Sequence, residues 1–102
     1  MALAVVQQAE RRMNRRSRVV KPVRCRPENP AFAEEVRATL NASRKGLYFT
    51  TSAQHYSMCM RLRVTFPYSS VDPYNVEYLG EVVRVDRLGN DRWGVAVKVL
   101  AN

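Results

Sequence analysis

Two short stretches concentrate the residues able to do chemistry. "ERRMNRRSR", residues 10–18, holds five arginines, and "NASRKG", Asn41 to Gly46, sets an amide, a hydroxyl, two cations and a glycine between two apolar runs. Fourteen of the seventeen cations are Arg, whose planar fork matches phosphate oxygens and the O6/N7 edge of guanine better than a lysine point charge does. The Asn41 amide offers a donor and an acceptor for a base edge, and the Ser43 hydroxyl can meet a phosphate or fix a turn. Gly46 permits positive φ and close backbone approach. Each stretch alone has a plainer reading, as turn residues or as a solvated basic tail. Their pairing argues for more: an arginine arm precedes the first strand, a polar loop follows the second about twenty-five residues on, and in a barrel the two can converge on one rim.

At 102 residues the chain is long enough for one domain with one modest core. The net charge of +8 is local, since residues 1–30 hold eight cations against two acids and residues 31–102 hold nine against seven. Such a field attracts an anionic partner. The apolar run Ala2 to Val6 is too short for a membrane span or a secretory signal, so a cytoplasmic protein without membrane insertion is expected. Cys25 and Cys59 are isolated and His55 is the single histidine, which argues against a metal site. His55 reads as an exposed loop residue, Met58 and Met60 as packing residues, and Trp93 as a cover for a barrel end. Glu34 and Glu35 have nothing to work against as acid and base, and no nucleophile has an adjacent base. No enzyme and no cofactor are expected.

These groups need a scaffold, and period-two patterning supplies it. Val19, Val23 and Cys25 share one face; Val36, Ala38 and Leu40 alternate with Arg37 and Thr39; Leu47 and Phe49 alternate with Tyr48 and Thr50. Met60, Leu62, Val64 and Phe66 give the cleanest half-buried strand, and "GND" marks a hairpin between "EYLGEVVRVDRL" and "RWGVAVKVL", where Val95, Val97 and Val99 share a face. The face of Glu81 to Arg87 is ambiguous. Asn41 to Gly46 is read as a six-residue loop. About six short strands of this kind predict an all-β fold, a small antiparallel barrel whose closure removes exposed edges.

The sequence resembles the PilZ domain family, whose pattern is Arg-x-x-x-Arg before the first strand and (Asp/Asn)-x-Ser-x-x-Gly between the second and third. "RMNRR", Arg12 to Arg16, supplies the first motif, preceded by Arg11, and "NASRKG" supplies the second. The segments "GEVVRVD" and "RWGVAVKVL" resemble the family's closing hairpin. The resemblance implies a six-stranded antiparallel barrel over residues 10–102, with residues 1–9 as an N-terminal arm or short helix. It also implies a bound bacterial second messenger, cyclic di-GMP. Carried over by position, Arg12 and Arg16 engage phosphates and guanine edges with Arg11 assisting, while Asn41, Ser43 and Gly46 take the other side. Asn41 stands where the family more often has Asp, and the C-terminal helix of many members is not expected after the last strand.

The expected function is therefore that of a regulatory domain that rearranges its arm on binding cyclic di-GMP and signals to an effector protein or a second copy of itself. One alternative is a nucleic-acid-binding barrel of OB type, which should interleave aromatics with cations on one sheet face. The other is a PilZ adaptor that works by protein contact without ligand.

Overall fold

The structure, a computed structural model, describes residues 20–101. Arg11, Arg12, Arg16 and the expected arm or helix over residues 1–9 lie outside the described residues. Six strands follow in order: β1 (Pro22–Pro27), β2 (Glu35–Ala42), β3 (Gly46–Thr51), β4 (Arg61–Thr65), β5 (Glu77–Gly89) and β6 (Arg92–Ala101). They close an antiparallel barrel in the order β1-β2-β3-β6-β5-β4, with β4 paired back to β1. Every strand has two neighbours, so none presents an open ladder.

The alternating apolar residues of five strands fill the barrel. Val23, Cys25, Leu47, Phe49, Leu62, Val64, Val82, Val95 and Val97 are buried, and Tyr56 from the loop after β3 closes one end against Phe49, edge to face at 5.6 Å between centroids. Each such aliphatic or aromatic side chain contributes roughly 1.5–3 kcal/mol by leaving water. The "GND" signal is a two-residue hairpin turn, with Asn90 (φ 53°) and Asp91 (φ 58°) both left-handed, the backbone that matches the twist of the flanking strands.

β2 departs from expectation. Val36 and Leu40 are exposed, while Thr39 is fully buried and Ala42 nearly so. The inward-facing parity is polar because the far end of this strand meets polar groups. The Glu35 carboxylate accepts from the Thr51 hydroxyl (2.9 Å) and the Tyr56 hydroxyl (2.6 Å) and pairs with Arg37 Nε (2.8 Å). Glu35, read from sequence as idle, thus ties the 52–60 loop to the barrel. The expected six-residue loop is also shorter, because β2 runs through Ala42 and β3 begins at Gly46, leaving residues 43–45 as the turn.

Candidate functional site

Two bulges determine what faces outward beside that turn. Strict alternation from buried Thr39 would point Asn41 into the core. Leu40 is an extra residue in the β2–β3 ladder, so Asn41 pairs with Tyr48 on the outer face and Ala42 points inward with Leu47. Val83 does the same in β5: Val82 pairs with Val97 inside the barrel, and Arg84 then pairs with Ala96 outside. A bulge re-aims side chains in this way at the cost of one unpaired residue. The outcome is a single cross-strand row, Asn41–Tyr48–Ala96–Arg84, over four strands. It floors a groove of about 600 Å³, lined also by Ser43, Lys45, Gly46 and Lys98.

The turn beside the groove is internally fixed. Ser43 N–H donates to the Gly46 carbonyl (2.8 Å), and the Ser43 hydroxyl accepts from Lys45 N–H (3.2 Å). Val99 N–H donates to the Lys45 carbonyl (2.8 Å), which ties the turn to β6. Of the two roles expected for Ser43, it performs the turn-fixing one here. Gly46 is not among the left-handed residues, contrary to one of its two expected uses. It serves the other: a Cβ at this position would collide with the Val97 carbonyl oxygen. Asn41, Ser43 and Gly46 are thus brought together on one groove.

The far wall is held by Tyr48. Its ring crosses β6 over Gly94, where a Cβ would overlap the Tyr48 hydroxyl. That hydroxyl donates to Asp86 Oδ2 (3.1 Å), which also accepts from Arg84 Nε (3.2 Å). The Arg84 guanidinium carbon lies 5.5 Å from the Tyr48 ring centroid, within cation–π range. Burial, then the bond to Asp86, raises the Tyr48 pKa and keeps the phenol a donor. Tyr48, Arg84 and Lys98 were not read as site residues from sequence. The only hint was the undecided face of Glu81 to Arg87.

The first strand enters at the same barrel end. Thr39 N–H donates to the Lys21 carbonyl (3.0 Å), and Lys21 N–H donates to the Thr39 hydroxyl (3.4 Å). The chain leading to residues 11–16 is therefore fixed two residues from Asn41.

Elsewhere some of the cations are paired. Arg24 and Arg26 meet Glu77, and Arg63 meets Glu28. Lys45 and Lys98 form no ion pair among the described residues, which is also true of Lys21, Arg44, Arg61, Arg87 and Arg92, so unpaired positive charge lies at the groove without being confined to it. His55 corrects its reading as an exposed loop residue: it stacks on Phe32 (5.2 Å, 8°) and packs 4.2 Å from Tyr56, with Nε2 buried. Trp93 pairs with Thr51 and Arg87 outside the groove. Phe49 is in the core and Phe66 packs against it, so neither offers a free face for stacking a base. Among the described residues no group of His, Cys, Asp and Glu could hold a metal, and no helix is long and apolar enough to cross a membrane.

A closed six-stranded barrel with a polar, basic groove beside its β2–β3 turn defines a binding domain. The chain belongs to the PilZ domain family, whose model matches residues 10–102; it is a family of regulatory binding domains, with cyclic di-GMP as the typical ligand. A solved structure, that of the Bacillus subtilis inhibitor of motility (MotI/DgrA), is similar with a TM-score of 0.61 and 17% identity. The likeness covers 82% of this chain and 40% of that one, and at this identity it is a likeness of fold. No curated protein matches the sequence.

Proposed function

We propose that this chain is a cyclic di-GMP receptor that signals by a change in the arrangement of its N-terminal arm. The observation that carries this reading is the placement of Asn41 on the outer groove, two residues from the point where Thr39 holds the root of the arm. From Lys21, the five residues back to Arg16 reach at most about 17 Å. Arg12 and Arg16, with Arg11, would bring guanidinium forks to the phosphates and guanine edges of a ligand lying over Asn41, Ser43 and Gly46. Lys45 and Lys98 add the charge that draws a dianionic nucleotide in.

A ligand shifts an arrangement only through its differential affinity for the two states. Here the arginines belong to the arm and the amide belongs to the barrel, so the nucleotide binds tightly only when both are together. The ordered arm then offers a new surface to an effector protein or to a second copy. Amide exchange of residues 8–18 tests this directly. Added cyclic di-GMP should slow exchange across the segment; unchanged exchange alongside saturable binding would remove the arm mechanism, and absence of binding would favour an adaptor that acts by protein contact.

A further inference from the structure

At the far end of the groove Tyr48 and Arg84 line the surface and Asp86 bonds to both, and all three lie outside the arginine and Asn-x-Ser-x-x-Gly motifs. Arg84 is 63% exposed, yet it is restrained from two sides: Asp86 holds its Nε, and the Tyr48 ring lies under its guanidinium. Tyr48 is restrained in turn by its own bond to Asp86 and by its seat over Gly94. An exposed arginine fixed in this way has less rotamer freedom to lose on binding than a free one. Nothing in the barrel's own stability requires the arrangement, because a surface pair of this kind contributes little to folding.

We propose that Arg84 is a further ligand-binding residue of the groove, reading a guanine edge from the end opposite Asn41, and that Asp86 and Tyr48 are its positioning residues. The inference rests on the cyclic di-GMP reading above. Because Asp86 engages Nε, the two terminal nitrogens remain as paired donors for two acceptors. Guanine presents such a pair at O6 and N7. A phosphate would also accept them, but the Asp86 carboxylate bonded to Arg84 repels an anion, whereas near Gly46 neither Lys45 nor Lys98 is held in an ion pair, although Glu81 faces Lys98 across the ladder. Phosphate therefore belongs at the lysine end of the groove and a neutral base edge at the Arg84 end.

Calorimetric titration of the full chain with cyclic di-GMP tests the assignment through five proteins: the natural chain, Arg84→Ala, Arg84→Lys, Asp86→Asn, and the Arg84→Ala/Asp86→Asn double variant. Loss of a bidentate base contact should weaken binding about tenfold in Arg84→Ala. Arg84→Lys should be nearly as weak, since it keeps the charge without the fork. Asp86→Asn should weaken binding about threefold, and should add nothing once Arg84 is absent, as expected of a residue acting through another. Tighter binding in Asp86→Asn would overturn the base-edge assignment in favour of a phosphate contact. Unchanged affinity in Arg84→Ala, or an Asp86→Asn effect that persists without Arg84, would overturn the assignment altogether. Absence of binding by the natural chain would instead remove the receptor reading on which it stands. Urea midpoints of the variants check that each remains folded.

Discussion

Asn41 on β2 and Arg84 on β5 stand in one cross-strand row, each turned outward by the bulged residue immediately before it, Leu40 in one case and Val83 in the other. Tyr48 and Ala96 occupy the two positions between them. Three strand spacings separate the ends of this row, about 14 Å across the sheet. Two irregularities in the ladders thus create one floor with a polar group at each end.

Two glycines keep that floor open for different reasons, which predicts different costs for filling them. At Gly46 the added methyl meets the Val97 backbone, which cannot move without disturbing β6; at Gly94 it meets the end of the Tyr48 side chain, which can swing away. Gly46→Ala should lower stability by roughly 1–3 kcal/mol, in the range of overpacked cores. Gly94→Ala should cost less but displace Tyr48 from Asp86. Urea midpoints of the two variants give the order, and the Tyr48 ring signals report the displacement. A larger loss in Gly94→Ala than in Gly46→Ala would contradict this account.

Stability should fall on the alkaline side because of Cys25. Burial, with the Glu35 charge next, pushes its thiol well above the ordinary value of 9.0. In the unfolded chain the thiol ionises near that ordinary value, while the folded chain keeps its proton. The unfolded state then binds fewer protons, so this contribution is fully present below about pH 9 and declines as pH rises further. Urea midpoints from about pH 7 to about pH 10 should show the decline, and Cys25→Val should flatten it over the lower part of that range. An equal decline in Cys25→Val would assign it to other groups.

Much of the scaffold was readable from residue types. The parity of Val23 and Cys25, of Leu47 and Phe49, of Leu62 and Val64, and of Val95 and Val97 placed the inner faces of β1, β3, β4 and β6 correctly, and "GND" located the hairpin turn. β2 and β5 were not readable, because a bulge inverts parity partway along a strand and Leu40 and Val83 carry no local mark of it. In β2 the polar residues Glu35, Arg37 and Thr39 also share the inward parity, where Thr51 at the end of β3 and Tyr56 from the following loop bond to Glu35, and Arg37 meets Glu35 and Thr51. Periodicity cannot anticipate partners supplied by another segment. The same limit hid Arg84: its relation to Asn41 exists only through the β3–β6 pairing, which joins two hairpins far apart in sequence.

The amide at position 41 leaves room for a gain. Its neighbours along the groove include Lys45 and Lys98, cations that would stabilise a carboxylate there. Charge-assisted bonds are about twice as strong as neutral ones, and a carboxylate accepts from both guanine N1 and N2 where the amide has one acceptor. Asn41→Asp should therefore tighten cyclic di-GMP binding by about threefold to tenfold, measured by calorimetric titration. Weaker binding by Asn41→Asp would mean that the amide donor, not its acceptor, faces the ligand.

The central claim is that arm and groove hold one nucleotide between them. Calorimetric titration of the full chain with cyclic di-GMP, repeated for Arg12→Ala and Arg16→Ala, tests it most directly. Each charge-assisted contact contributes on the order of 1.5–3 kcal/mol, so saturable binding by the natural chain should weaken by roughly tenfold to a hundredfold in each variant. Binding unchanged in both variants, or absent from the natural chain, would contradict the account.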